Sequence, residues 1–198
     1  MPEEHLVRKL DARSLRGLAH PLRMELLDAL RRHGPATASM LAERLGESSG
    51  ATSYHLRQLA EHGFIEDAPE HGKGRERWWQ AVKQNISMGE SLLRDEDPAV
   101  RGAADTFLYE MAATHGRELS TLMATRHDWL PKWGDHAMDV SDWNLRLTPA
   151  LARELIGRMH ELLREYDNSE VADDDPDAEQ VRIHTHVFPI ATDRKGSQ

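Results

Sequence analysis

The chain has 198 residues, 39% of them hydrophobic, no cysteine, and a formal net charge of −9. That length and apolar content suit one domain or two small ones, and the lack of thiols excludes disulfides and thiolate metal sites, as a reducing cytoplasm would favour. No run approaches the roughly 18–20 apolar residues of a membrane span, and the opening MPEEHLVRKL lacks the apolar core of a signal peptide. A cytoplasmic protein with no membrane partner is expected.

The first expected element is a short helix over 11–19 with Leu15 and Leu18 inward. His20-Pro21 breaks the register, and Pro21 suits the first turn of a second helix, 21–33, whose Leu22, Leu26, Leu27 and Leu30 recur at helical spacing. Gly34-Pro35 ends it. Thr37 caps a third helix with Met40, Leu41 and Leu45 inward and Gly46 as its stop. Ser48 or Ser49 caps a fourth, 49–62, closed by Gly63. A strand at 64–68, a turn at 69–75 and a return strand at 76–82 make a hairpin whose Gly72 and Gly74 permit a tight tip.

Residues 84–97 read as a linker. Pro98 opens a long helix to about Ala124 with Val100, Ala104, Phe107, Leu108, Met111, Leu119 and Leu122 in one stripe. At roughly 40 Å such a helix calls for a partner subunit. An irregular stretch at 125–142 follows. Trp143, Leu145 and Leu147 alternate as a half-buried strand does. Thr148-Pro149 starts a helix with Leu151, Leu155, Met159, Leu162 and Tyr166 in register, the acidic segment 167–180 forms a solvated loop, and Val181, Ile183, Thr185 and Val187 alternate again.

The fold class expected is therefore α+β and mainly helical. A winged helix-turn-helix domain at 1–83 and the 84–97 linker precede a region at 98–198 with a dimerisation helix and a strand-helix-strand unit, which would also hold any effector site.

Helix, turn, helix and hairpin, in that order, are what a winged helix-turn-helix needs to set one helix in a DNA groove with a loop beside it. With Thr52, Leu56 and Leu59 inward, the outer face of the fourth helix carries Gly50, Ser53, Tyr54, Arg57 and Gln58. Small residues at Gly50 and Ala51, beside Ser49, let the helix start approach phosphates, which its free N–H groups favour. Arg57 suits guanine and Gln58 adenine. Lys73, Arg75 and Arg77 in the hairpin suit phosphates or the minor groove. His55 points sideways, where a structural hydrogen bond is the simpler role. Charge does not oppose this reading: residues 1–90 hold 13 Lys and Arg against 13 Asp and Glu, so the whole −9 falls on the rest. Modest non-specific affinity follows.

His20-Pro21-Leu22-Arg23, with Ser53-Tyr54-His55-Leu56 and Leu59-x-x-x-Gly63-Phe64-Ile65, resembles the arsenical-resistance-repressor (ArsR-type) family of winged-helix regulators over about residues 11–83. The resemblance implies a homodimeric transcription factor, usually a repressor, altered by a ligand, with 49–62 as recognition helix and 64–82 as wing. Metal-sensing members of that family carry cysteines in the helix equivalent to 37–45, where this chain has none, and residues 98–198 exceed the single dimerisation helix of its small members.

The signal input is therefore sought in the second half. Phe107, Met111, Trp129, Trp133, Met138 and Trp143 could line an adaptable apolar pocket for a small-molecule effector, or fill core. His115 with Glu118, and His184 with His186, each offer two metal ligands, but no third is fixed by the sequence. No metal or cofactor is therefore expected. Nor is catalysis, for want of a phosphate-binding Gly loop, a dinucleotide motif, a nucleophile elbow or a zinc-protease pair. The expected partners are double-stranded DNA, a second copy of the chain and a small-molecule effector. The alternatives are a winged helix that binds another protein, or a metal-responsive regulator using histidine and carboxylate ligands.

Overall fold

The computed structural model describes residues 7–72, 76–134, 137–167, 171–172 and 175–190. The chain divides into two compact units, Glu4–Met123 and a second from Ala124 onward.

The first unit opens with β1 (Val7–Leu10), on which sequence patterning was silent, then α1 (Ala12–Leu18) and α2 (Pro21–His33). Asp11 starts α1 with a reciprocal cap: its carboxylate accepts from the Ser14 N–H at 2.7 Å while the Ser14 hydroxyl accepts from the Asp11 N–H at 3.0 Å. This satisfies donors that the first helical turn leaves open. A two-residue strand, β2 (Ala36–Thr37), leads into α3 (Ala38–Leu45), and α4 (Ser49–Glu61) follows. The wing is β3 (Ile65–Asp67), a single 3-10 turn at Pro69–His71, and β4 (Trp78–Ala81). Strands β3 and β4 pair antiparallel with Glu66 opposite Gln80, and β2 adds to the far side of β4 with Ala36 opposite Trp79. Two residues are too few to show alternation, so β2 left no periodic signal.

The expected linker is structured. Residues Asn85–Met88 form β5, which pairs in parallel with β1 in the register Val7 to Asn85 and Leu10 to Met88, and a 3-10 turn at Glu90–Arg94 buries Leu92. Asn-Ile-Ser-Met alternates polar with apolar, and its apolar side chains, Ile86 and Met88, pack against the core.

That core gathers Leu15, Leu18, Leu26, Leu41, Leu56, Leu59, Phe64 and Ile65, all nearly inaccessible. Gly17 lies flush against His62; a Cβ there would come within 2.2 Å of the imidazole. Val100, Ala104 and Phe107 then dock the start of α5 (Pro98–Trp133) on the same core. Ion pairs Arg32–Glu118 and Arg16–Asp97 tie α5 and its approach to α2 and α1.

Helix α5 runs to Trp133, nine residues past the expected end, and at about 1.5 Å per residue is roughly 54 Å long. Residues 125–133, expected to be irregular, are thus helical. Pro131 lies in the last turn, where it forfeits one backbone hydrogen bond and only Lys132 and Trp133 follow it in the helix, and the first glycine after Gly116 is Gly134.

The second unit contains the remainder of α5, then α6 (Pro149–Asp167), capped by the Thr148 hydroxyl on the Leu151 N–H at 3.3 Å. The Lys132 ammonium donates to the Pro176 carbonyl at 2.7 Å and to Glu179 at 2.9 Å. The flanking strands expected at 143–147 and 181–187 are not formed: both stretches lack a β-ladder. Alternation marks two faces, but a strand exists only where another strand accepts and donates its hydrogen bonds. No described residue from 124 onward is buried. Among the described residues, no helix is long and apolar enough to cross a membrane.

Candidate nucleic-acid interface

The helix pair is set by its caps. Thr37 Oγ1 accepts from the Met40 N–H at 3.3 Å to start α3. Gly46, at φ 69° in the left-handed region, turns the chain out of it, its N–H meeting the Ala42 and Glu43 carbonyls. A residue with a Cβ would be strained there. Ser48, rather than Ser49, caps α4, its hydroxyl accepting from the Ala51 N–H at 3.2 Å.

Thr52, Leu56 and Leu59 hold α4 to the core, as the periodicity requires. Ser49, Gly50, Tyr54 and Arg57 are exposed and Ser53 half-buried, so these face away from it. Nothing lies within 4 Å of where a Gly50 Cβ would stand, so the helix start is open to close approach. Two of the expected contact residues also have neighbours within the domain. Ala51 packs against the core. It follows the N-cap by three residues, where the helix still leans inward. Gln58 is half-buried and its amide donates to the Glu61 carboxylate at 3.2 Å, one turn on.

A cleft of about 280 Å³ separates the start of α3, the outer face of α4 and the wing, lined among others by Ser39, Ser53, Arg57, Glu76 and Arg77, with Trp79 below. Ser53 and Arg57 are one helical turn apart and so reach the same cleft. Arg77 is held in place. It donates through Nη2 to Asp67 at 2.7 Å, also bonds the other carboxylate oxygen through Nε, and lies over the Trp79 ring at 3.9 Å. The guanidinium keeps the Asp67 carboxyl below the usual range and Asp67 raises Arg77 in turn. Across the cleft, Ser39 Oγ donates to Glu76 at 3.4 Å. The wing thus carries its own carboxylates beside its cations, which no pattern of basic residues would disclose. Lys73 and Arg75 lie outside the described residues.

Helix α4 also meets the start of α2. The His55 ring stands 4.4 Å from the His20 ring and 5.1 Å, edge on, from Tyr54. His55 Nδ1 and His20 Nδ1 are both buried and make no hydrogen bond among the described residues. Ring packing, rather than the expected hydrogen bond, is therefore the role of His55. Burial keeps both imidazoles below the ordinary histidine range, reinforced by Arg23 at His20 and by His20 and then Arg23 at His55. The two separated stretches His20–Arg23 and Ser53–Leu56 are thus one packing unit.

Arg8 on β1 escaped the sequence reading. Its guanidinium donates to the Gly63 carbonyl at 2.9 Å and the His62 carbonyl at 2.7 Å, and lies 4.3 Å over the Phe64 ring. A cation here meets carbonyls that the end of α4 leaves open. Only the β1–β5 pairing brings it there.

The six residues expected to line an effector pocket are not gathered within either unit. Phe107 and Met111 pack on the core of the first unit. Trp129, Trp133, Met138 and Trp143 belong to the second, where Trp143 is 79% exposed. Glu118 pairs with Arg32. Among the described residues, no three His, Asp or Glu side chains stand together as metal ligands.

Residues 18–68 match the family model of a helix-turn-helix domain. No curated protein matches the chain. The N-terminal part of this α+β, mainly helical chain is a helix-turn-helix domain.

Proposed function

We propose that the chain is a sequence-specific DNA-binding transcriptional regulator of the ArsR type, a homodimeric repressor whose affinity for its operator changes when a small molecule binds. The observation that carries this reading is the outer face of α4. Gly50, Tyr54 and Arg57 are exposed on a helix capped at both ends, beside a cleft that the wing completes. Ser49, Gly50 and Ser53 meet the backbone and base edges at the helix start, and Arg57 reads a guanine. Arg77, held against Asp67, approaches the phosphates as half of an ion pair, and Lys73 and Arg75, close by in the sequence, add to the contact. Dimerisation would use α5, which extends far beyond the core that its first turns cover. The signal enters through the residues that follow, because the first unit is occupied with DNA.

An electrophoretic shift on genomic fragments flanking the gene, run across a salt series, tests the reading. Arg57→Ala is expected to weaken operator binding by about 1–3 kcal/mol and to relax preference at one base pair. Arg77→Ala is expected to weaken all sequences alike, with a salt slope reduced by less than the roughly 0.9 of a full phosphate contact, since Asp67 already offsets part of its charge. Absence of salt-sensitive binding to every fragment would overturn the reading.

A further inference from the structure

Two arginines face the cleft beside α4, and their surroundings differ. Arg57 is exposed and pairs with no carboxylate among the described residues. Arg77 is exposed too, yet both oxygens of Asp67 hold it, Oδ2 accepting from Nη2 at 2.7 Å and Oδ1 from Nε. The register of the wing brings this about. Asp67 lies opposite Trp79 in the β3–β4 ladder and Arg77 is two residues from Trp79, so all three share one face of the hairpin. The guanidinium lies 3.9 Å over the buried Trp79 ring. Glu76, next in the chain, accepts from Ser39 on α3 at 3.4 Å across the same cleft. The Arg77 guanidinium and the Ser39 hydroxyl, two groups that could donate to a phosphate, thus each meet a carboxylate already.

The hairpin does not depend on these contacts, since the ladder and the Gln80 to Glu66 bond at 2.9 Å already join its strands. A carboxylate offers arginine the same fork of two oxygens that a phosphate does. A pair as exposed as this one, 55% at Arg77 and 50% at Asp67, is weak in water, so a phosphate replaces Asp67 at little cost. That exchange needs the phosphate within hydrogen-bond reach. A duplex held loosely, through water and counterions, brings its charge near without supplying the contact, and Asp67 and Glu76 then repel it. Discrimination is a difference between two affinities, and a penalty on the loose complex raises it as much as a new contact in the close one. Non-specific affinity is almost wholly electrostatic, so it is what two carboxylates lower most.

We infer that Asp67 and Glu76 are specificity-determining residues: they occupy Arg77 and Ser39 in the place of phosphate and release them only to duplex DNA docked closely enough to supply phosphate oxygens there. Selectivity then comes from acidic residues of the wing as well as from the outer face of α4. This rests on the reading of the first unit as a DNA-binding domain.

The test uses the full chain with two probes, a short duplex selected by the unaltered chain from a random-sequence pool and a scrambled duplex of the same composition. Asp67→Asn and Glu76→Gln keep the shape of each side chain and remove its charge. Binding to both duplexes is measured across a salt series. Asp67→Asn is expected to tighten binding to the scrambled duplex about fivefold and to leave the selected one within about twofold, so that selectivity falls. Glu76→Gln shifts selectivity the same way by a smaller factor, because Ser39 is neutral and its bond to Glu76 is long. A second readout separates exchange from a bare change of charge. Asp67→Asn should steepen the salt slope on the scrambled duplex by up to the roughly 0.9 of one phosphate contact, and should not steepen it in the Arg77→Ala background. Unchanged selectivity in Asp67→Asn overturns the proposal, as does an equal gain with and without Arg77, and either result leaves the DNA-binding reading standing. An unaltered chain that selects no duplex and shows no salt-sensitive binding overturns that reading, and the proposal with it.

Discussion

Helices α4 and α6 have similar sequence credentials and opposite surroundings. Each is capped by a hydroxyl and each carries apolar residues at spacings of three and four. Helix α4 buries Thr52, Leu56 and Leu59; α6 buries nothing. Periodicity specifies that a helix has an apolar side. Its contribution to stability comes from what that side is packed against, and α4 has α2, α3 and the wing while α6 has none of these.

The difference is sharpest in a pair of truncations. Phe64→Ala, at a fully buried ring that also receives Arg8, is expected to destabilise the first unit by about 3–5 kcal/mol in urea titration. Leu162→Ala, on an exposed position of α6, is expected to cost within about 0.5 kcal/mol at concentrations where chains are separate. Similar losses at the two sites in dilute solution would erase the distinction. A loss at Leu162 that grows with protein concentration would show the surface being covered by a second copy.

The same contrast explains what could be read in the sequence. Between Pro21 and Glu61 the helix limits followed almost residue by residue from Pro21, Thr37, Gly46 and Gly63, because caps and turns are local and each helix meets its neighbour nearby in the chain. Strand β1 and the role of Arg8 were out of reach. Both depend on pairing across more than fifty residues; Val7–Leu10 does not alternate, and the four alternating residues of Asn85–Met88 are too few to announce it. The strands expected at 143–147 and 181–187 failed for a related reason, since alternation was present and a partner edge was not. Trp129 and Trp133 looked like loop residues beside Pro131, yet a proline in the last turn left the helix intact. At the candidate site the outer face of α4 was legible from helical angle alone. The pairing of Arg77 with Asp67 and of Ser39 with Glu76 was not, because both join residues on different elements.

A smaller effect separates contacts made within an element from those made across the first unit. Arg8→Ala removes two charge-assisted hydrogen bonds to the carbonyls that close α4 and a stacking contact on Phe64. Its partial exposure limits the loss to about 1–2 kcal/mol. The cooperative melt should shift down while helical content at low temperature is kept. An unchanged melting temperature would mean that the β1–β5 pair contributes nothing to the end of α4.

The smallest effect concerns protons, and it distinguishes the units by pH. His20, His55 and His62 all sit in the first unit, and burial lowers each below the ordinary histidine range. Around His55 stand His20 and Arg23, which oppose its protonation, and Glu47, which favours it. In the unfolded chain these imidazoles bind protons near pH 6.5; in the folded chain they bind them only at lower pH. Between those two points the unfolded state holds more protons, so stability rises with pH there. The contribution is therefore complete above about pH 6.5 and is lost as pH falls toward the folded values. Acidification from neutrality should lower the melting temperature of the first unit well before the carboxylates titrate. His55→Gln should flatten that slope, because it removes one of the protons taken up on unfolding and also relieves His20 of a neighbour. Equal slopes in the two proteins would mean that His55 is protonated or solvated when folded, and the packing of His20 against it would then not hold α4 to α2.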